Sequence, residues 1–128
     1  MLSTYQLLYI TSSHHCTRNN LDGIFSADHI PQSVNKFPAF WILNTKPSTH
    51  PGEHWTACYF PDEQKPAEFF CSLGNKPNDY YPELESILRK NGDGTFIWNK
   101  LQLQGNSSQA CAYFTLYYVD FRCRDVSY

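Results

Sequence analysis

Residues 103–114 read LQGNSSQACAYF, and we expect this stretch to decide how the chain folds. It passes from an amide side chain through small, turn-prone residues to Cys111, which begins a long aromatic run. That order is typical of a cysteine at the N-terminus of a helix, where unpaired backbone N–H groups and the helix dipole stabilise a thiolate. Gln104 lies seven residues upstream, and its amide could donate a hydrogen bond to a developing oxyanion. The alternative is a structural cysteine that opens a core element, with Gln104 in a surface loop.

The run from Cys111 to Phe121 carries conflicting signals. Its aromatic residues and its valine favour a strand. However, the run is long for a strand, no turn residue interrupts it, and Ser107 or Ser108 can cap a helix that begins just after them. We therefore predict a central buried helix from Cys111 onward. The aromatic residues predicted to share one side of this helix are Phe114, Tyr117, Tyr118 and Phe121.

Stretches of bulky apolar residues predict strands at 38–45, 53–60 and 67–74. The polar segment 61–66, which separates the last two, is typical of a hairpin connection. Strand, polar loop and strand in this order indicate an antiparallel pair.

The remaining segments add fewer elements. The Asn-Asp pair at 78–79 can cap a helix, and residues 95–103 predict a broken extended segment. Residues 2–10 suit either a helix or a strand. Together these patterns predict an α+β fold, in which a small antiparallel sheet packs on a central helix, and a single domain over residues 1–128.

Composition and charge argue against several classes of protein. The 128 residues carry a net charge of −2 and no Lys/Arg run, so there is no strong nucleic-acid signal. No stretch approaches the ~20 apolar residues of a membrane span, and the start lacks the basic region of a secretory signal. We expect a soluble, intracellular protein.

The cysteines are odd in number and form no C-x-x-C pair, so we expect a reduced chain rather than a disulfide framework. The His-His-Cys cluster at 14–16 has no second cluster with ligand spacing, so neither a metal site nor a cofactor is expected. The five cysteines are Cys16, Cys58, Cys71, Cys111 and Cys123.

A cysteine nucleophile needs a base, and His54 is the best placed of the five histidines. It begins a predicted strand, precedes Trp55 and follows a loop rich in turn residues. A neutral imidazole near a thiol can take its proton and form a thiolate–imidazolium pair. The alternative, a strand-end histidine that makes an ordinary hydrogen bond, fits its position equally well.

Four features in one order resemble the adenovirus-type processing proteases, which are related to the SUMO-specific proteases. They are His54-Trp55 with its lead-in, the segment FFCSLG at 69–74, Gln104-Gly105, and Cys111. The resemblance implies an adenain-like cysteine protease fold over most of the chain. Similar genes occur in adenoviruses, adintovirus-like elements and Polinton or Maverick transposons, and the small size and low charge resemble the transposon or adintovirus branch.

The resemblance implies a role for each of these residues. Cys111 would be the nucleophile, and His54 would be the general base and later the acid for the leaving amine. Gln104 would stabilise the oxyanion together with the backbone N–H of Cys111. The family tends to cut after glycine, because a narrow channel admits no side chain there. The residues expected to contact the substrate are Trp55, Gly105 and Ala112.

Two positions depart from the family pattern. A carboxylate or asparagine that orients the histidine normally stands where this chain has Cys71, and a neutral thiol holds an imidazolium less strongly, so we expect reduced activity. Asp62, Glu63 or Glu68 could substitute, although strand alternation puts Glu68 on the opposite face from Cys71. Ala112 stands where the family usually has glycine, and its methyl group is expected to crowd the cleft.

Three functions are compatible with the sequence. The first is an endopeptidase that cleaves protein precursors at glycine-containing sites, the second is an isopeptidase of ubiquitin-like modifiers, and the third is a pseudoprotease that acts as a binding module. Retention of His54, Gln104 and Cys111 favours a hydrolase acting on a protein or peptide substrate, in the cytoplasm or nucleus of a host cell or in a virion. Some relatives need an activating peptide or DNA, and no docking feature for either is evident here.

Overall fold

The computed structural model describes residues 3–46, 54–103 and 110–124. Within these ranges a single sheet of five strands is combined with four α-helices and one short 3-10 turn. In chain order the elements are α1 (Thr4–Ser12), α2 (His15–Asn20), β1 (Leu21–Phe25), β2 (Ala39–Asn44), β3 (Trp55–Phe60), β4 (Ala67–Phe70), the 3-10 turn (Pro77–Asp79), α3 (Leu84–Lys90), β5 (Phe96–Trp98) and α4 (Cys111–Cys123).

The sheet is mixed, with strand order β1-β2-β3-β4-β5. Its centre is antiparallel, since β3 pairs with both β2 and β4 in opposite directions. The two edge strands are parallel to their neighbours. The α+β fold is therefore confirmed, whereas the expectation of a purely antiparallel sheet is wrong at both edges. Parallel neighbours need long crossover connections, and the 3-10 turn and α3 provide one between β4 and β5.

Both faces of the central strands are buried, which explains why β2 does not alternate between apolar and polar residues. All six residues of β2 are buried. Phe40 and Ile42 face the cluster that includes α4, whereas Trp41 and Leu43 face the cluster that includes α3. Successive side chains of a strand point to opposite faces, so a sheet covered on both sides requires a continuous apolar run.

Helix α4 begins at Cys111, as predicted, but its buried side is different from the one expected. Tyr118 is buried, whereas Tyr117 is 63% exposed and Phe114 and Phe121 are only partly buried. Ala110 directly precedes the helix, and the predicted caps Ser107 and Ser108 lie outside the described residues. The small residues of the buried side allow the helix to approach β3 closely. The buried residues of α4 are Cys111, Ala112, Thr115, Tyr118 and Val119.

A disulfide joins Cys16 of α2 to Cys123 at the end of α4. The expectation of a fully reduced chain is therefore wrong for this pair, while Cys58, Cys71 and Cys111 are free. The two bonded residues are 107 positions apart, so only the packing of α2 against α4 brings them together.

The segment at 2–10, which the sequence allowed to be a helix or a strand, is helical from Thr4 onward, in α1. None of the helices in the described ranges has the length and apolar character that crossing a membrane requires.

A buried ion pair ties α4 to β4. Arg122 donates to both carboxylate oxygens of Glu68 at 2.8 and 2.9 Å, and the Tyr118 hydroxyl donates to the same group at 2.8 Å. Glu68 thus faces α4, while Cys71 belongs to the cluster on the other face of the sheet. The alternation predicted for these two residues is correct.

Removing the cation of this pair should destabilise the protein strongly. We expect Arg122→Met to lower the free energy of unfolding by about 3–5 kcal/mol, because the Glu68 carboxylate would remain buried without its partner. The matched control is Arg124→Met, which breaks the exposed ion pair with Asp120 and should change stability by less than about 0.5 kcal/mol. Urea denaturation measures both, and equal effects of the two variants would contradict a special role for the buried pair.

Candidate active site

Cys111 is the first residue of α4, and its side chain is almost completely buried. Its Sγ accepts a hydrogen bond from the backbone N–H of Trp55 at 3.4 Å. That amide belongs to the residue directly after His54, so the start of α4 is hydrogen-bonded to the start of β3 one residue from the histidine. An N–H donor and the helix terminus both favour a negative sulfur.

Thr115 completes the attachment of α4 to this strand. Its hydroxyl donates to the backbone carbonyl of Trp55 at 3.1 Å, so both backbone polar groups of Trp55 are bound by the first two turns of α4. The pairing of β3 with β4 ends at Ala57 and Phe70, so at Trp55 the helix, and not β4, lies beside β3. Thr115 is not among the residues predicted from the sequence, although its spacing of four residues from Cys111 puts the two on one helical face.

His54 lies immediately before β3 and is partly buried. Its backbone carbonyl accepts a hydrogen bond from Thr45 N–H at 3.0 Å, which fixes the main chain at the ring. Its ring Nε2 lies 3.3 Å from the Sγ of Cys71. Burial lowers the pKa of His54 below its ordinary value, so the neutral imidazole is favoured. If Nε2 of the neutral ring carries the proton and donates it to Cys71, Nδ1 is unprotonated and can act as a base.

Cys71 follows β4 directly and is completely buried. The Asn99 side chain binds its backbone on both sides, since Oδ1 accepts from Cys71 N–H at 2.9 Å and Nδ2 donates to Cys71 C=O at 2.6 Å. The hydroxyl of Tyr80 lies 3.4 Å from the thiol. The structure therefore brings Cys71 to the histidine ring, where the resemblance predicted the orienting group.

The carboxylates considered as substitutes do not lie at this ring. Glu68 is bound to Arg122 on the opposite face of the sheet. Asp62 and Glu63 are exposed in the connection between β3 and β4, whereas His54 and Cys71 lie at the other ends of these strands.

The segment that leads to the predicted oxyanion residue is anchored beside Cys71. Leu103 donates its backbone N–H to Ser72 C=O at 2.6 Å. Gly74 has a positive φ of 78°, and a Cβ at this position would lie 3.0 Å from the carbonyl oxygen of Lys100, so glycine is needed for this close approach. Gln104 and Gly105 lie outside the described residues, and their predicted roles stay predictions.

The two other residues expected at the substrate have buried side chains. Trp55 is 3% and Ala112 is 1% exposed, and both belong to the apolar cluster between the sheet and α4. Their predicted substrate contacts stay predictions. Among the described residues, no group of three His, Cys, Asp or Glu side chains could hold a metal ion.

Two solved structures with a similar fold are both described as the ASFV pS273R protease. One matches 99% of this chain with a TM-score of 0.61 and 18% sequence identity, and this chain covers 59% of its length. The other, a selenomethionine form, matches 69% of this chain with a TM-score of 0.46 and 24% identity, and 36% of its length is covered. No protein-family model matches the sequence, and neither does any curated protein. The likeness to the first structure shows that this chain has the fold of a protease over most of its described length.

The burial of His54 has a consequence for pH dependence. In a Cys111→Ser variant, which removes the thiol, the pKa of the His54 ring should lie below 6.5. Because the unfolded chain binds this proton more readily, stability should be complete above the unfolded pKa and should fall as the pH decreases toward the folded pKa. Ring resonances followed by NMR measure the titration, with the urea-denatured chain as the reference. Titration at or above the denatured value would contradict this prediction.

Proposed function

We propose that this chain is a cysteine endopeptidase in which Cys111 is the nucleophile and His54 the general base. One observation carries the proposal. The thiol at the N-terminus of α4 is hydrogen-bonded to the backbone N–H of Trp55, the residue that follows a partly buried histidine. A buried structural cysteine would not need either neighbour, whereas a nucleophile needs both a proton acceptor and a field that favours the thiolate.

The proposed reaction uses these groups in sequence. The Cys111 proton passes to Nδ1 of His54, and the thiolate attacks the substrate carbonyl. The resulting oxyanion accepts hydrogen bonds from the Cys111 backbone N–H and from the amide of Gln104. His54 then protonates the leaving amine, and water hydrolyses the thioester with His54 again acting as base. The Trp55 N–H stabilises the sulfur before attack.

The fold shared with the ASFV protease supports proteolysis as the reaction class. Because this chain spans 59% of that protein, its substrates and partners are proposals in their own right. From the sequence resemblance we propose that the chain is an adenovirus-type protease of an adintovirus or a transposon. It would cleave protein precursors after glycine, inside the host cell or the virion. An activating peptide would be an additional partner.

A second candidate is a pseudoprotease that uses the same fold to bind proteins. It is favoured by the thiol of Cys71 at Nε2 of His54, where a carboxylate would hold an imidazolium more strongly. Isopeptidase activity on ubiquitin-like modifiers is the third candidate and would use the same chemistry.

A thiol-directed vinyl-sulfone probe separates an enzyme from a binding module. We expect the probe to label the wild-type protein, Cys111→Ala to abolish labelling, and His54→Ala to slow it by roughly 10²-fold, because a positioned base contributes at least that factor. Cys58→Ala is the matched control, since burial raises the pKa of that thiol and keeps it unreactive. Labelling that is indifferent to His54→Ala would indicate a merely accessible thiol.

Substrate preference distinguishes the two hydrolases. We expect peptides with glycine before the cleaved bond to be hydrolysed at least tenfold faster than the same peptides with alanine there, because an added methyl group would clash in a narrow channel; this corresponds to about 1.4 kcal/mol of transition-state free energy. Mass spectrometry of the products measures the cleaved bond. Processing of modifier conjugates with no cleavage of the linear peptides would support the isopeptidase instead.

A further inference from the structure

The ring of His54 is attached to a chain of neutral groups. Its Nε2 lies 3.3 Å from Cys71 Sγ, and this sulfur lies 3.4 Å from the hydroxyl of Tyr80. The same hydroxyl accepts a hydrogen bond from the Asn75 side-chain amide at 2.7 Å. We propose that Tyr80 and Asn75 are positioning residues that act through Cys71 to orient the His54 ring, so that a neutral relay replaces the carboxylate of related sites. This inference rests on the proposed function.

The backbone around the relay is fixed, which is what a positioning role requires. Asn99 binds both backbone groups of Cys71, and Gly74 N–H donates to Cys71 C=O at 2.8 Å. Tyr80 directly follows the 3-10 turn, and its backbone N–H donates to Pro77 C=O at 3.1 Å. The Cys71 thiol and the Tyr80 phenol are therefore held from separate segments that meet at the histidine.

Ring contacts add to this restraint. The Tyr80 ring lies beside the His54 ring with a centroid separation of 5.6 Å and an interplanar angle of 45°. An imidazole with a sulfur at Nε2 and an aromatic ring on one side has little freedom to turn about its χ2 angle. The contact with Cys71 is made at Nε2, so Nδ1 is the ring nitrogen that the proposed mechanism uses as the base.

The hydrogen bonds can be assigned consistently with a base at Nδ1. Nε2 must then carry the proton and donate it to Cys71 Sγ. The same sulfur accepts from the Tyr80 O–H, and the Tyr80 oxygen accepts from the Asn75 amide. When Nδ1 receives the Cys111 proton, Nε2–H still donates to Cys71, and no proton moves along the relay. The relay selects the tautomer and the orientation, and it supplies no negative charge.

The surrounding titratable groups support a neutral relay. Burial and the hydrogen bond to Cys71 raise the pKa of Tyr80, so the phenol keeps its proton. Asp79 and Tyr81 flank Tyr80 in the chain. Asp79 accepts a hydrogen bond from the Lys76 backbone N–H at 2.9 Å and acts on Tyr80 only through its field.

Tyr80→Phe tests the relay, and Tyr81→Phe is its matched control. Tyr81 is the neighbouring tyrosine, and its hydroxyl is hydrogen-bonded to Thr56 Oγ1 at 3.0 Å, outside the proposed relay. We expect Tyr80→Phe to slow vinyl-sulfone labelling of Cys111 about tenfold, the rate equivalent of one neutral hydrogen bond, and to shift the pH profile of labelling. Tyr81→Phe should leave both unchanged. Equal effects of the two variants would overturn the proposal.

A second experiment measures the tautomer of the His54 ring directly and does not depend on the reactivity of Cys111. In the Cys111→Ser background, ¹⁵N NMR should show the Nε2–H tautomer of His54, and Tyr80→Phe should reduce its population. Asn75→Ala, at an exposed position, should shift it in the same direction without threatening the fold. An unchanged tautomer in both variants would overturn the relay, whereas a wild-type protein that the probe never labels would overturn the proposed function alone.

The Cys71→Asp background tests whether Tyr80 acts through Cys71. A carboxylate would orient the His54 ring without help from the phenol, so labelling of Cys111 should become faster. In this background Tyr80→Phe should lower the labelling rate by less than twofold. A tenfold loss that persists in this background would show that Tyr80 does not act through Cys71 and would overturn the proposed relay.

Discussion

The attachment of α4 to the start of β3 is the constraint on which the rest of the site depends. Two side chains one helical turn apart, Cys111 and Thr115, bind the N–H and the C=O of Trp55. A helix that satisfies both backbone groups of one strand residue cannot slide or rotate without leaving buried polar groups unpaired. The thiol is therefore fixed to the backbone of Trp55, the residue after His54, by hydrogen bonds that also hold the sheet and the helix together.

A second constraint acts from the other side of the histidine. The turn that follows β4 carries Cys71 to the ring, and the segment after β5 binds that turn through Asn99 and Leu103. The segment after β5 therefore supports the group that lies at Nε2 of His54. A change in this turn would disturb the orientation of the imidazole.

The polar groups at the two faces of the sheet differ in charge. On the α4 face, Glu68 and Arg122 form a buried ion pair supported by Tyr118. At the histidine, the partners are a thiol, a phenol and an amide, and burial lowers the pKa of His54. Neutral partners orient an imidazole without adding a negative charge beside it, so at the His54 ring they act through geometry.

The sequence by itself determined the central strands and the helix that begins at Cys111, because apolar runs and turn residues are local signals. The roles of His54 and Cys71 remain predictions, and that of Cys71 comes from the family resemblance. Only the tertiary structure decided the parallel edges of the sheet, the buried side of α4, the Cys16–Cys123 bond, and the partners Thr115, Tyr80 and Asn99. Those features depend on contacts between segments that are distant in the chain. The chemistry of a side chain limits which groups it can bind, whereas the packing of the sheet against its helices decides which of those groups lies within reach.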